Sequence, residues 1–503
     1  MTTPPTVTID GRSLTLAALR DVAEGRARAA LAPDAGARMT ASRRVVDGIV
    51  DSGAAVYGVT TGFGKMSDVR IAPDKLAELQ VNLVRSHVTG VGPLLPKREV
   101  RAMMLLRANV LAAGFSGARP VLAETLLAML NADLAPPVPE QGSVGASGDL
   151  APLAHLALAL IGEGDLFHGD VRLPAARALA DAGIAPVTLL SKEGIALING
   201  TQAHAGVSAL AVLDAITLWE TAQVAGAATL DALRGTPDAF DDRIHAARGQ
   251  PGQREAAQRL RDLLAGSAIR ESHRVGDPRV QDAYALRCMP QVHGPALDAI
   301  RFAEGILARE INAATDNPLV FADGTLASGG NFHGQAGAMA ADVLAIALTN
   351  LAAMSERRID RLVHPDLNEG LPPFLAHEPG LHSGYMMAQV AAAALASECK
   401  TLAHPASVDT IPTDGGKEDV VPMAMGAAIK LRRVVHNVTH VLAIELMCAA
   451  QGIEGRRPLK SSPRIEEAVA RVRRLVPRLE ADRVIAGDIA ALASAVGAGT
   501  FIA

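Results

Sequence analysis

The chain has 503 residues, of which 49% are hydrophobic and 20% are charged, so it can form a large globular core. Its formal net charge of −5 does not favour a nucleic-acid partner, which would usually require a basic face. With only three cysteines, the chain is poorly suited to a disulfide framework. It has neither a CxxC nor an HExxH motif, so the sequence does not indicate a metal site.

Residues 1–198 alternate short helical patterns with glycine-rich stretches. The periodicity predicts helices at Leu14–Leu31, Ser42–Ser52, Lys75–Ser86 and Lys97–Ala112. The glycine-rich stretches are Gly53–Gly64, Thr89–Pro93 and Gly142–Gly148. The first residues have neither the charged nor the apolar segment of a secretory signal, so we expect a soluble, cytoplasmic protein.

From about Gly294 onward the patterns are longer and more regular, and the sequence is rich in the helix formers Ala and Leu. Helices are predicted at Pro295–Thr315, Ala336–Leu362, Ser383–Leu402, Pro422–Ala450 and Ser462–Val476. Asp342 and Glu398 interrupt the most apolar of them, which argues against a membrane-spanning role. We therefore predict a mostly α fold, with a loop-rich N-terminal head domain (1–198) and a long helical bundle core (199–503).

The segment from Gly142 to Pro152 contains three glycines at a spacing of three, followed by an apolar helical run. Asp149 is predicted as the N-cap of that helix, with Pro152 in its first turn. The glycines would then lie at the positive end of the helix dipole. Their spacing does not match a dinucleotide fingerprint, and Val59–Met66 lacks the first Gly and the final Ser or Thr of a phosphate loop.

Several segments, taken in order, resemble the histidine, phenylalanine and tyrosine ammonia-lyases. The resemblance is carried by Tyr57–Gly64, Asn82–His87, Gly142–Ile161, Ala196–Gln202, Val280–Cys288, Asn312–Asn317, Ser328–His333, Ser355–Arg358, Leu402–Asp409 and Gln451–Leu459. The Ala146-Ser147-Gly148 tripeptide is common by itself. The ordered set from Tyr57 to Leu459 is specific, and on it the chain is identified as a member of this family.

The resemblance implies a cofactor made from the chain itself. In this family Ala-Ser-Gly cyclises with loss of two waters into 4-methylidene-imidazole-5-one (MIO). Here Ala146 and Gly148 would close the ring, and Ser147 would supply the methylidene carbon that accepts the substrate amine. No external cofactor is expected. Glycine at position 148 suits the strained backbone that such a ring requires.

The resemblance also implies roles for residues elsewhere in the chain. Tyr57 matches the base that removes the β-proton, so its site must favour the phenolate over the phenol. Tyr284 matches a second tyrosine that assists around the MIO. Arg287 matches the group that binds the substrate carboxylate, for which a planar bidentate donor is suited. Polar groups near the MIO and an aromatic near the substrate are matched by Asn199, Gln281 and Phe332.

Three positions bear on the substrate ring, and all three favour L-histidine by resemblance. His87 follows Ser86 in the selectivity pair, Glu418 aligns with an acid that faces the imidazole, and Met386 stands where phenylalanine enzymes have Lys. Lys417 departs from the family pattern and could pair with Glu418. The predicted reaction is elimination of ammonia from L-histidine to give trans-urocanate. A tyrosine or phenylalanine ammonia-lyase and a 2,3-aminomutase remain the alternatives.

Other enzyme classes fit less well. A fumarase-type lyase would carry a GSSxMPxKxN-like loop, which the sequence lacks, and an inactive scaffold would be expected to lose Tyr57, Ser147 or Arg287. A metal-dependent hydrolase lacks its ligand spacing. The resemblance implies a homotetramer whose active sites are shared between subunits, with a small-molecule amino acid as its substrate.

Overall fold

The computed structural model describes residues 4–502, and the chain within them is predominantly helical. The α-helices are α1 (Leu16–Ala23), α2 (Pro33–Ser52), α3 (Leu76–His87), α4 (Lys97–Ala112), α5 (Pro120–Asn131), α6 (Leu150–Leu160), α7 (Ala175–Asp181), α8 (Glu193–Ile198), α9 (Gln202–Ala232), α10 (Asp242–Arg248), α11 (Pro251–Leu264), α12 (Ala268–Glu271), α13 (Tyr284–Arg287), α14 (Met289–Glu310), α15 (Gln335–Val363), α16 (Met386–Leu402), α17 (Ala424–Glu454), α18 (Pro463–Leu475) and α19 (Ala486–Gly497). The mostly α fold predicted from the sequence is confirmed.

Within the described residues, short strands form four small sheets. The strands are β1 (Thr6–Ile9), β2 (Arg28–Leu31), β3 (Val91–Leu94), β4 (Leu134–Ala135), β5 (Pro139–Gln141), β6 (Asp165–His168), β7 (Val171–Pro174), β8 (Leu319–Val320) and β9 (Leu326–Ala327). β1 and β2 pair in parallel, whereas β3–β5, β4–β6–β7 and β8–β9 are antiparallel. Between β6 and β7 the register pairs Asp165 with Pro174 and His168 with Val171.

The chain divides into two compact units. The first comprises the described residues up to Leu210, together with Glu304–Asp342 and Pro405–Ile429. The second comprises Ala211–Ala303, Val343–His404 and the described residues from Lys430 onward. The predicted division near Asn199 is simpler than this partition, because two later segments of the chain join the first unit.

The core of the first unit is built on α4, which is buried along almost its whole length and packs against α1 and α5. A second cluster of packed helices contains α3, α6 and α8. The glycine-rich loop 142–149 runs from the end of β5 to the start of α6. A parallel bridge between Gly148 and Gly200 joins this loop to the segment connecting α8 with α9.

The second unit contains a buried ion pair between α15 and α17. Arg358 Nε donates to Glu445 Oε1 at 2.5 Å, and neither side chain is exposed to solvent. Ser355 and Thr229 hydroxyls also donate to the Glu445 carboxylate. These donors compensate for the removal of a carboxylate from water, without which a buried charge would destabilise the fold. Elsewhere in this unit α18 packs against α11 and α19.

In the part of the chain that the structure describes, two helices, α9 and α15, are long and apolar enough to cross a membrane when judged by length and composition alone. However, 78% of the apolar stretch of α9 and 61% of that of α15 are buried within the molecule. Burial of this kind is typical of helices in the core of a folded protein.

Candidate active site

The glycine-rich loop borders a cavity of about 440 Å³ in the first unit. The predicted site residues that line it are Tyr57, His87, Ser147, Asn199, Phe332 and Glu418. A neighbouring cavity of about 690 Å³ shares Tyr57, Ser147, Phe332 and Glu418 and is also lined by Ala146 and Lys417. Volumes in this range suit a small organic ligand. Residues separated by up to 361 positions in the sequence thus meet around one space.

The loop is bent sharply at Gly148, next to the serine. Gly148 has φ of +72°, and a Cβ atom there would lie 2.2 Å from the carbonyl oxygen of Gly200. The backbone N–H of Asp149 donates to that same oxygen at 2.7 Å. Only glycine is compatible with both the positive φ and this close approach. The contact fixes the end of the tripeptide against the start of the Gly200 segment.

Asp149 stands at the N-cap position of α6, but its carboxylate does not cap that helix. One carboxylate oxygen instead accepts from the backbone N–H groups of Ala203 and His204, at 3.0 and 2.9 Å, in the first turn of α9. Asp149 therefore occupies the predicted N-cap position of α6, but its carboxylate bonds to the start of α9 instead of to α6. A carboxylate can accept hydrogen bonds from the free backbone N–H groups at the start of any helix that lies close to it. The sequence alone does not show that Asp149 lies close to the start of α9.

Polar contacts hold Ser147 on both its side chain and its carbonyl. Its hydroxyl donates to Glu418 Oε1, and Asn199 Nδ2 donates to the Ser147 carbonyl oxygen at 2.7 Å. The other Glu418 oxygen accepts a hydrogen bond from the Thr413 hydroxyl. Within residues 4–502 no ion pair joins Lys417 to Glu418. The Glu418 carboxylate is therefore held by two hydroxyl groups, and Lys417 is an exposed residue at the neighbouring cavity.

His87 ends α3 and presents one ring nitrogen to its own helix. Its Nδ1 lies 2.7 Å from the carbonyl oxygen of Leu83 and 3.0 Å from the Ser86 hydroxyl. The carbonyl can only accept, so Nδ1 carries a proton. In the neutral ring Nε2 is then an acceptor. The side chain therefore offers a hydrogen-bond acceptor to a ligand in the cavity.

The surroundings of Tyr57 within the first unit favour the phenol. Burial raises the pKa of Tyr57, and the negative charges of Asp414 and Glu418 raise it further, while a hydrogen bond with the Gly64 backbone lowers it. This direction is opposite to the one expected for a base that must ionise. The groups of the first unit do not by themselves produce the phenolate that the sequence analysis anticipated.

Four of the predicted site residues belong to the second unit, and none of them lines either of these cavities. Gln281 and Tyr284 are exposed, and the relative solvent accessibility of residue Tyr284 is 70%. The Arg287 guanidinium lies over the Tyr284 ring, with Cζ 4.7 Å from its centre. Met386 begins α16 and is half-buried.

Sequence reasoning missed three polar residues that the structure places at or beside the site. Thr413 binds the Glu418 carboxylate, Asp414 lines both cavities, and His204 contacts Asp149 beneath the loop. Thr413 and Asp414 are found in an irregular turn, where no periodic pattern marks their direction. His204 lies on a helix that is buried on nearly all sides, where a single polar residue gives no periodic signal.

Comparison with known proteins gives matches over most of the chain. Residues 14–474 match the model of the family described as aromatic amino acid lyase. Histidine ammonia-lyase of Anaeromyxobacter dehalogenans (strain 2CP-C) is 56% identical over 503 residues, covering 98% of this chain and 99% of that protein.

Solved structures also match over nearly the full length. Histidine ammonia-lyase from Trypanosoma cruzi has a TM-score of 0.92 at 44% identity, covering 99% of this chain and 94% of that one. Tyrosine aminomutase from Streptomyces globisporus has a TM-score of 0.94 at 40% identity, covering 99% and 98%. The family expected from the motifs is confirmed, and the chain belongs to the aromatic amino acid lyases.

Proposed function

We propose that this protein is a histidine ammonia-lyase, which eliminates ammonia from L-histidine to give trans-urocanate. The observation that carries the proposal is the arrangement around Ser147. A tyrosine, an imidazole acceptor and a carboxylate line one cavity with this serine: Tyr57, His87 and Glu418. The cavity thus combines a candidate proton acceptor with two groups suited to a nitrogen heterocycle.

The residues around the tripeptide are compatible with MIO formed from Ala146, Ser147 and Gly148. Gly148 occupies a bend that excludes any Cβ, and Asn199 donates to the carbonyl oxygen that such a ring retains. The buried Asn199 Oδ1 has no hydrogen-bond partner among the described residues. When formed, MIO supplies an electrophilic methylidene carbon. The hydrogen bond from Asn199 to the Ser147 carbonyl oxygen withdraws electron density from that carbonyl group.

Glu418 is the residue that we propose selects an imidazole ring. In the uncyclised chain its Oε1 accepts the Ser147 hydroxyl. Dehydration of Ser147 removes that hydroxyl and leaves Oε1 available for a ring N–H, while Thr413 still orients Oε2. His87 offers Nε2 as an acceptor, and Phe332 provides an apolar wall. A carboxylate would have no comparable partner on a phenyl ring.

Tyr57 is proposed as the base that removes the β-proton. The groups in its own unit raise its pKa, so additional positive potential or a rising pH is required before it ionises. We propose that Tyr284, Gln281 and Arg287 of another subunit complete the site, with Arg287 binding the substrate carboxylate. The high exposure of Tyr284 in the single chain supports this assignment. Met386 is proposed as a further residue near the substrate ring.

The active form is accordingly proposed to be a homotetramer with shared active sites, located in the cytoplasm and acting without nucleic acid or membrane. The relatives at 50–56% identity bear the name histidine ammonia-lyase, while the aminomutase similarity is at 40%. The tyrosine and phenylalanine lyases and the 2,3-aminomutase are therefore disfavoured as alternatives.

The decisive experiment incubates the purified full-length protein separately with L-histidine, L-tyrosine and L-phenylalanine. Formation of the conjugated acrylate is followed by ultraviolet absorbance, and intact mass establishes whether two waters have been lost. We expect rapid formation of urocanate from L-histidine alone. Product only from L-tyrosine or L-phenylalanine would contradict the assigned substrate, and an unprocessed mass would contradict the cofactor.

A further inference from the structure

His204 is a fully buried histidine near the start of α9, directly beneath the glycine-rich loop. Its Nδ1 lies 2.9 Å from Asp149 Oδ2, the same oxygen that accepts two backbone N–H groups of α9. Asp149 Oδ1 accepts from the Ser143 hydroxyl at 2.9 Å, and that hydroxyl accepts from the N–H of Gly145 at 3.1 Å. One carboxylate therefore joins both ends of the loop to α9.

The His204 ring is also in close contact with the segment that begins α15. A Cβ atom added at Gly334 or at Gly337 would lie 2.7 Å from ring atoms of His204. The N–H of Gly334 in turn donates to the carbonyl oxygen of Gly145 at 3.0 Å. The ring thus lies between Asp149, on one side of the tripeptide, and the segment that holds Gly145 on the other.

The chemistry of the pair indicates that the ring does more than fill space. Burial lowers the pKa of His204, but the charge of Asp149 and its hydrogen bond outweigh this and raise it. Burial raises the pKa of Asp149, but contacts with His204, including its charge, lower it overall. Since an apolar side chain would fill the same volume without desolvating a polar group, the Nδ1 contact with Asp149 is the distinctive property of this residue.

We propose that His204 is a positioning residue for cyclisation of the tripeptide, acting by holding the Asp149 carboxylate in place. In this reaction the Gly148 nitrogen bonds to the carbonyl carbon of Ala146. The carbonyl oxygen leaves as water with the amide hydrogens of Gly148 and Ser147. The Ser147 hydroxyl leaves as a second water with the Cα hydrogen. His204 exchanges no atoms in these steps, and the inference rests on the proposed function, since it concerns maturation of the same cofactor.

The test compares His204→Leu, His204→Asn and the wild-type chain during cell-free synthesis of the full-length protein. Intact mass at successive times gives the rate at which two waters are lost, independently of catalytic activity. Leucine keeps bulk but removes the donor, whereas asparagine keeps an amide donor near the position of Nδ1. We expect His204→Leu to mature about tenfold to a hundredfold more slowly, as for loss of a hydrogen bond to a charged group. His204→Asn should recover part of the rate.

His245→Leu is the matched control, because His245 is equally buried in the second unit and bonds to Gln253 and Ala239 there. It should mature at the wild-type rate, which separates loss of any buried histidine from loss of this one. Melting temperature and circular dichroism establish which variants are folded.

Maturation of folded His204→Leu at the wild-type rate would overturn the inference, and so would a folded His204→Asn that matures as slowly as His204→Leu. If His204→Leu fails to fold, His204→Phe, which also lacks the donor, takes its place under the same criterion. A wild-type chain that never loses two waters would instead contradict the proposed function itself.

Discussion

At the scale of single residues, Tyr57 is the position at which substrate chemistry is most directly tested. A base acts in its deprotonated form, and burial together with Asp414 and Glu418 raises the pKa of Tyr57. We therefore expect kcat/KM for L-histidine to increase as pH rises into the alkaline range. Tyr57→Phe should lower kcat by about 10²–10⁴-fold, the usual contribution of a general base. Steady-state kinetics as a function of pH measure both effects.

Tyr385→Phe provides a comparison, because Tyr385 is buried in the second unit and lines neither cavity. It should retain the wild-type pH profile. Intact mass should be that of the processed chain in both tyrosine variants. If Tyr57→Phe keeps its activity and the same increase of kcat/KM with rising pH, Tyr57 is excluded as the base.

Glu418 and Lys417 are adjacent in sequence but differ in their contacts, which allows a matched pair of substitutions. Glu418→Gln should lower kcat/KM for L-histidine by about tenfold to a hundredfold, the effect of losing one charge-assisted hydrogen bond. Because the negative charge of Glu418 raises the pKa of Tyr57, its removal should also move the increase in kcat/KM to lower pH. Lys417→Gln should have little effect on either quantity, since Lys417 forms no ion pair with Glu418 within residues 4–502.

Both variants are assayed with L-histidine across the same pH range. Equal losses of kcat/KM in Glu418→Gln and Lys417→Gln would indicate that the conformation of the segment containing both residues, rather than the Glu418 carboxylate, determines activity. If kcat/KM of Glu418→Gln rises at the same pH as that of the wild-type protein, the electrostatic coupling between Glu418 and Tyr57 is contradicted.

At the scale of secondary structure, the sequence predicts helices well where one face is apolar and the ends carry clear signals. α4 was predicted with the bounds that the structure has, Lys97–Ala112, and the predicted helix 336–362 differs from α15 by one residue at each end. The prediction for Leu14–Leu31 was too long. α1 ends at Ala23, where Gly25 with φ of +75° reverses the chain into β2. A short helix and a short strand in succession gave one misleading apolar run.

The features that could not be predicted from the sequence are the buried helix α9 and the contacts made between segments of the chain. α9 was not predicted, because a helix buried on nearly all sides has no amphipathic period. The position of Asp149 against α9, and of Thr413 against Glu418, depends on segments that are distant in the chain or lie in irregular turns. The motifs could place Tyr57, Ser147 and Glu418 in one site by resemblance, but they carried no information about which oxygen or nitrogen atoms would meet.

At the scale of the whole molecule, the proposed sharing of active sites predicts complementation between inactive subunits. Ser147→Ala removes the hydroxyl in the first unit, and Tyr284→Phe changes an exposed residue of the second. Each variant alone should be inactive or nearly so. If Tyr284 acts in the site of a neighbouring subunit, random equimolar assembly should leave about a quarter of the sites with both residues intact.

The two chains are co-expressed with different affinity tags, and hybrid assemblies are purified through both tags before activity is measured with L-histidine. Recovery of a substantial fraction of wild-type kcat at unchanged KM would establish that different subunits supply Ser147 and Tyr284. The control is co-expression of Ser147→Ala with Tyr57→Phe, since both residues line the same cavity of one chain. Every site in that hybrid lacks one of them, so it should stay inactive. Equal recovery in both hybrids would mean that contaminating wild-type chain, rather than sharing of Ser147 and Tyr284 between subunits, produced the activity.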